Sequence, residues 1–372
     1  MKKVCHLSSA HRGLDVRIFV KECVSLAAAG YDTHLVIKAS PQEVEKAAAK
    51  GVSIHPLNAP HGRFSRMVKQ AWRCYLIGRR LDADIYHIHD AELIPYGMVL
   101  AISGKKVIYD AHEDLPRDIL SKEWIPLWTR KIISKAASML EYAGAKWFFS
   151  VITATPFIKQ RFLKISSKVV DINNFPLMEE LSGNITDGAR QNEVCYVGGI
   201  ALVRGIAEVV AAMGLVKSSA RLNLVGNFSE LEAEKIAKRS EGWTHVNEMG
   251  MLDRNEVRAV LQRSFAGLVT FHPLPNHVDA QPNKMFEYMS AGLPVVASDF
   301  PLWSEIIIGN DCGLCVNPMS PDAIAGAIDR LAGDPQLAKK MGENGRRAVV
   351  AKYNWPAEEI RLLDFYRKVS AS

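Results

Sequence analysis

Short β-rich runs alternate with helix-like segments in two successive series along this chain, and one polar, turn-rich stretch separates them. The first series reads VCHLSS, THLVIK, VSIHPL, DIYHIHD, KVIYDAHE, SVITAT and VVDINN; the second restarts with VCYVGG and continues through RLNLVG, THVNEMG, GLVTFHP and PVVASD. Alternation of this kind is the pattern of parallel sheets covered by helices on both faces. The expected fold class is therefore α/β, with two doubly wound, Rossmann-like domains. At 372 residues the chain is long enough for both cores. The domains are expected at 1–175 and 190–354, joined through FPLMEELSGNITDGARQNE, with the C-terminal helix of 355–372 packing back on the first.

Such domains bind ligands just beyond the carboxyl ends of their strands, and two of them would share a cleft. That rule selects Ser8–Gly13, His87–Asp90, Asp110–Asp114, Gly198–Gly205, Gly250–Asp253 and the segment QPNKMFEYMSAGLPVVASDFP, Gln281–Pro301. In GGIALVRG a strand runs through Gly198 and Gly199 into a turn ending at Arg204, before a helix; backbone amides and a guanidinium at a helix start suit a phosphate. The turn is neither GxGxxG nor GxxxxGK[ST], which argues against a nicotinamide dehydrogenase and a Walker-type nucleotidase. In the 281–301 segment Pro282 starts a helix and Gly292 ends it, with Lys284 and Glu287 on one face at i, i+3.

Metal signals are weak at this level. Asp82 and Asp84 of DAD precede an apolar strand rather than follow one. Alternation puts His87 and His89 on one strand face, near Asp90, His112 and Glu113, but nothing in the sequence fixes a third ligand. Cys312 and Cys315 lack a second pair to complete a zinc site, and the six cysteines read as buried thiols rather than a disulfide framework. No metal is expected. His112, just past KVIYDA, is placed to line the cleft and donate to a sugar or phosphate oxygen.

The chain resembles the family 4 retaining glycosyltransferases of the GT-B fold, over nearly its whole length. The likeness is strongest in QPNKMFEYMSAGLPVVASDFP, with support from YVGGIALVRGI, NEMGMLDRNEV, YDAHED and HRGLDVRIFVKECVSLAAAGYDTHLV. It implies an acceptor-binding first domain, a donor-binding second domain, and transfer of a sugar from a UDP- or GDP-type donor to a hydroxyl with retention of configuration. Glu287 matches the acidic residue that binds the donor ribose, sound chemistry for a carboxylate facing vicinal hydroxyls. Asp279 matches the first acidic position of the same E-x7-E pattern, one methylene shorter, and Gly199 stands where the family often has Arg. Arg204 and Lys284 match the diphosphate-binding cations, with Gly199, Met251 and Asn283 completing the donor set. The catalytic set is His112, Asp279 and Glu287, and His11, Gly13 and Glu113 are expected on the acceptor loops. The leaving phosphate oxygen itself would take the acceptor proton, so no separate nucleophile is required, and catalysis would be positioning and charge stabilisation. A GT-B epimerase and an inactive nucleotide-sugar-binding protein are the alternatives.

Charge separates the halves. Residues 1–185 hold 26 Lys+Arg against 18 Asp+Glu, whereas 186–372 hold 20 against 22, so the first half should meet an anionic partner. Its source is HGRFSRMVKQAWRCYLIGRRL, residues 61–81. As a helix this places Phe64, Met67, Val68, Ala71, Tyr75 and Leu76 near one face, with Arg63, Arg66, Lys69, Arg73, Arg79 and Arg80 over the rest. The pattern fits both a helix on an anionic membrane through 63–80 and one packing on the first sheet. No nucleic-acid reading motif accompanies the charge. The start of the chain lacks a signal peptide's apolar stretch, and the expected location is cytoplasmic, peripheral on the membrane, serving a lipid-linked acceptor in envelope polysaccharide assembly.

Overall fold

A computed structural model describes residues 1–58, 65–122, 125–177 and 190–372. They form two compact units, one of Met1–Asn174 with Pro356–Ser372 and the other of Phe175–Trp355. Most of the expected linker, 178–189, lies outside the described residues.

The first unit is built on seven parallel strands: β1 (Lys3–Arg12), β2 (Asp32–Lys38), β3 (Val52–Leu57), β4 (Ile85–Ile88), β5 (Lys106–Ala111), β6 (Ser150–Thr153) and β7 (Val169–Asp171), in the order β3-β2-β1-β4-β5-β6-β7. The second has six, β8 (Glu193–Val197), β9 (Arg221–Val225), β10 (Val246–Gly250), β11 (Ala266–Val269), β12 (Val295–Ser298) and β13 (Gly313–Val316), ordered β10-β9-β8-β11-β12-β13. Both orders reverse beside their first strand, and each reversal is a topological switch point. β13 is the stretch carrying Cys315, with Cys312 just before it; Cys312 is buried and Cys315 partly so, both as free thiols.

Helices close over the sheets because their central strands are buried on both faces. In β4 and β12 all residues are buried. The helix Asn283–Ser290 shows how closely it is held: Gly267 of β11 has no side chain, and a Cβ there would meet the Tyr288 ring at 2.3 Å. The ring thus lies flat on the strand, and the Tyr288 hydroxyl accepts a 2.8 Å hydrogen bond from the Val197 amide at the end of β8. One turn earlier on that helix stands Lys284.

The Ala71–Leu81 helix buries Ala71, Cys74, Tyr75 and Gly78 against the first sheet. This corrects the expected single apolar face. Packing splits it, leaving Met67, Val68 and Trp72 about half exposed while Ala71 and Tyr75 are buried. Arg63, Phe64 and the side chain of Arg66 lie outside the described residues.

Candidate functional site

In the second unit the switch point between β8 and β11 gathers two cations. Gly198 takes φ +112°, a conformation that side chains resist, and a Cβ there would sit 3.5 Å from Lys284 Cε. At Gly199 a Cβ would meet Arg204 Nη1 at 2.6 Å, so the glycine is needed for the guanidinium to fold back and donate to the Gly199 carbonyl at 3.2 Å. Arg204 and Lys284 share the Phe271 ring, at 5.6 and 5.5 Å from its centroid, and Lys284 Nζ also lies 3.9 Å over Tyr196.

Lys284 is not on a solvated helix face. It is only 8% exposed, and its ammonium has no hydrogen-bond acceptor among the described residues. Burial, with the nearby Arg204 charge, pushes its pKa down to about 7. The side chain turns onto two aromatic rings rather than toward Glu287. Glu287 is partly exposed and its Oε1 lies 3.7 Å from Arg254 Nη1, on the helix Arg254–Arg263. Met251 is exposed in the loop after β10, Asn283 is exposed at the helix start, and Asp279 is half-buried in the loop after β11. The Gly198–Arg204 turn and the helix Asn283–Ser290 carry every residue of the expected donor set except Met251.

In the first unit His11 and His112 stand together, ring centroids 5.3 Å apart. Asp90 builds the turn beneath them. Its Oδ2 accepts from Ser9 N at 2.6 Å, Ser8 Oγ at 2.9 Å and Ala10 N at 3.2 Å, and its Oδ1 is 3.1 Å from His11 Nδ1. Against the effect of burial, these contacts hold the Asp90 carboxyl well below its usual range, and Asp90 raises that of His11. Gly13 is buried, with Ala39 Cβ 2.8 Å from where its own Cβ would be, and Glu113 is exposed. Burial pushes His112 down to about 3, so its imidazole is neutral, and its Nε2 has no hydrogen-bond partner among the described residues.

Beneath this surface lies a buried polar network that sequence reasoning did not assemble. Arg17 donates through Nε and Nη2 to Asp110 at 2.9 and 2.7 Å, and through Nη1 to the Ile172 carbonyl. Asp110 Oδ2 also lies 3.2 Å from His89 Nδ1 and 3.5 Å from His112 Nδ1. Beyond His89 stand His6, His87 and Glu22. The two-residue spacing of His87 and His89 signalled a shared face; only sheet register brings His6 of β1 opposite His87.

Two family models match the chain, "Glycosyltransferase Family 4" over residues 17–175 and "Glycosyl transferases group 1" over 179–348. Among curated proteins it is 26% identical over 193 residues to the alpha-maltose-1-phosphate synthase of Mycolicibacterium smegmatis, covering 48% of each chain. It is 20% identical over 313 residues to the MMP alpha-(1->4)-mannosyltransferase of Mycolicibacterium hassiacum, covering 80% of this chain and 73% of that one. The chain thus spans about half the length of the first of these relatives. Among solved structures, sucrose-phosphate synthase from Thermosynechococcus elongatus superposes with a TM-score of 0.79 at 20% identity, over 100% of both chains. Anabaena Alr3699/HepE in complex with UDP-glucose gives 0.73 at 14% identity, over 99% of this chain and 100% of that one. WaaG, a glycosyltransferase involved in lipopolysaccharide biosynthesis, gives 0.70 at 14%, over 97% of this chain and 98% of that one. With two parallel sheets ordered about switch points and family models matching on both units, this chain is a family 4 glycosyltransferase of the GT-B fold.

Proposed function

We propose that the protein transfers a sugar from a nucleotide-diphosphate sugar to a hydroxyl acceptor, a lipid-linked saccharide, with retention of anomeric configuration. The observation that carries the donor half is the buried Lys284 ammonium, held without an acceptor beside Arg204 at the Gly198–Gly199 turn. A cation removed from water without an acceptor is unfavourable, and a diphosphate seated at this turn supplies two negative charges where the described residues offer the ammonium no hydrogen-bond acceptor. Glu287, on the same helix one turn on, is the ribose anchor, and Asp279 is read as the contact to the transferred sugar. Arg204 and Lys284 then stabilise the departing diphosphate, whose oxygen accepts the acceptor's proton. UDP donors are favoured by the fold-level likeness to a UDP-glucose-bound structure.

Arg204→Ala is expected to weaken donor binding by about 1.5–3 kcal/mol, the range for a hydrogen bond to a charged group, and to lower turnover with it. Glu287→Ala should lose donor binding and activity together and keep its thermal unfolding midpoint. Thermal shift with UDP-, GDP- and ADP-sugars, followed by transfer assays, checks both. Wild-type turnover in either variant removes that residue from the site; product formed without any acceptor would favour the epimerase reading.

The lipid-linked acceptor rests on the first unit. The helix Leu127–Trp147 exposes Leu127, Trp128, Ile132, Met139, Tyr142 and Trp147. Interleaved with them are exposed Lys131, Lys135 and Lys146, and the helix's one carboxylate, Glu141, is buried and paired with Arg161. The Trp72 ring lies 5.8 Å from that of Tyr96, tilted by 48°, and the helix bearing Tyr96 also exposes Val99 and Ile102. Large apolar side chains among cations suit an anionic bilayer surface, with each Lys or Arg near it contributing about 1 kcal/mol. No helix of the described residues is long and apolar enough to cross a membrane. Co-sedimentation with phosphatidylglycerol vesicles is expected at low salt, reduced at high salt and lost when Trp128, Ile132, Lys131 and Lys135 become Ser. Equal sedimentation with neutral vesicles, or no effect of the substitutions, contradicts this docking mode.

A further inference from the structure

Four side chains in the first unit converge on one buried point: His6 of β1, His87 and His89 of β4, and Glu22 of the π-helical stretch Val16–Cys23. All four are fully shielded from solvent or nearly so. His6 Nδ1 lies 2.9 Å from His89 Nε2, and Glu22 Oε2 lies 4.0 Å from His6 Nδ1, 3.8 Å from His87 Nδ1 and 4.0 Å from His89 Nε2. Every pair of ligand atoms in the group falls within 4.8 Å. A tetrahedral ion with bonds of about 2.0–2.1 Å needs its ligands roughly 3.3 Å apart, so the cage must contract, by about 0.7 Å at the 4.0 Å contacts of Glu22.

The partners of these groups orient the nitrogens. His89 Nδ1 is 3.2 Å from Asp110 Oδ2, which fixes a proton there and leaves Nε2 to accept from His6 Nδ1 at 2.9 Å, a proton that an ion would displace. His87 Nδ1, 3.8 Å from Glu22 Oε2, also lies 2.8 Å from the Tyr366 hydroxyl and would exchange that bond for the ion. His6 Nε2 faces the Tyr366 hydroxyl at 3.5 Å, leaving Nδ1 toward the cage. Neither oxygen of Glu22 has a hydrogen-bond partner among the described residues. Its Oε1 is 3.3 Å from Arg17 Nε, but that N–H is directed at Asp110. With Arg17 shared between two buried carboxylates, burial and the Asp110 charge push the Glu22 carboxyl well above its usual range, and a second cation or a proton relieves this.

We propose that His6, Glu22, His87 and His89 form a buried structural site for a divalent first-row transition ion, zinc being the best match to three imidazoles and one carboxylate. The site is separate from the cations proposed to hold the donor, which lie in the other unit. It is closed by four protein ligands and leaves no position for substrate, so its role is to tie β1 to β4 and to the Val16–Cys23 stretch. Through Asp110, shared by His89 and His112, it also sets the base on which His112 rests.

Untagged protein, incubated with zinc and then desalted, is expected to retain about one equivalent by elemental analysis. Loading with cobalt instead should give the intense visible bands of a tetrahedral site. Glu22→Gln and His87→Gln should each lose the ion, and added zinc should raise the unfolding midpoint of metal-stripped wild type but not of these variants. His55→Gln serves as control, because His34 Nδ1 and His55 Nε2 form a separate pair 3.0 Å apart, near Asp32. If the cage variants fail to fold, the wild-type cobalt spectrum decides alone. Substoichiometric metal with no tetrahedral bands in folded wild type overturns the site, the carboxylate then being neutralised by a proton. So does full retention in both cage variants, or loss of the ion in His55→Gln.

Discussion

UDP-glucose binding is expected to weaken about tenfold for each unit by which the pH exceeds about 7, and this dependence should vanish in Lys284→Gln. The reason is the burial of Lys284 against Tyr196 and Phe271. Its pKa is pushed down to about 7 from 10.5, so above neutrality the free protein holds a neutral amine where the diphosphate requires an ammonium. Binding must then take up a proton. A nucleotide sugar is the right probe, because its diphosphate has no terminal group titrating in the same range. Stability moves the opposite way. With the folded pKa below the unfolded one, the unfolded chain binds more protons between about pH 7 and 10.5, so the second unit gains stability as pH rises through that window, by at most about 1.4 kcal/mol per unit. Lys284→Met should therefore raise the second unit's unfolding midpoint at neutral pH while abolishing donor binding, a trade expected where a site carries a destabilised charge. Isothermal titration from pH 6 upward in buffers of differing ionisation enthalpy measures both affinity and proton uptake. A flat profile in wild type would show that Lys284 stays protonated or does not touch the donor.

Arg17→Met is expected to destabilise the first unit by about 3–5 kcal/mol, since it strands a buried carboxylate rather than removing a pair. Asp110 is fully buried, and Arg17 supplies its two-pronged partner as well as a donor to Ile172 at the end of the sheet. The double variant Arg17→Met with Asp110→Asn should recover part of the loss, because the remaining amide carries no charge. Hydrogen exchange of the β1, β4 and β5 amides localises the effect to this unit, which a whole-chain melt of two units does not. Unchanged protection in Arg17→Met would mean that solvent reaches Asp110.

Local order was legible along the chain because it is periodic. β-rich runs between helical segments identified both sheets, and the turn GGIALVRG and the signature around Glu287 marked the segments that follow β8 and β11. Each is a property of neighbours in sequence: strand pattern, a glycine where φ must be positive, a proline at a helix start. The positions of Arg204 in the turn after β8 and of Lys284 at the start of the helix that follows β11 accord with the same rule.

What the sequence could not decide was which face of a helix the fold would bury. The i, i+3 spacing of Lys284 and Glu287 is compatible with a solvated pair, but Tyr288 lying over Gly267 rotates the helix so that Lys284 points into two aromatic rings and Glu287 remains partly exposed. The apolar stripe of residues 64–76 likewise divides between core and surface once the Ala71–Leu81 helix packs on its sheet. The buried network of the first unit is wholly tertiary. His6, Glu22, His87, Asp110 and Tyr366 stand up to 360 residues apart in the chain, and only the register of β1 with β4, the π-helical turn of Val16–Cys23 and the return of the Trp355–Ala371 helix bring them within reach. Short-range pattern sets which elements form; burial, charge pairing and pKa depend on distances that exist only after those elements have packed.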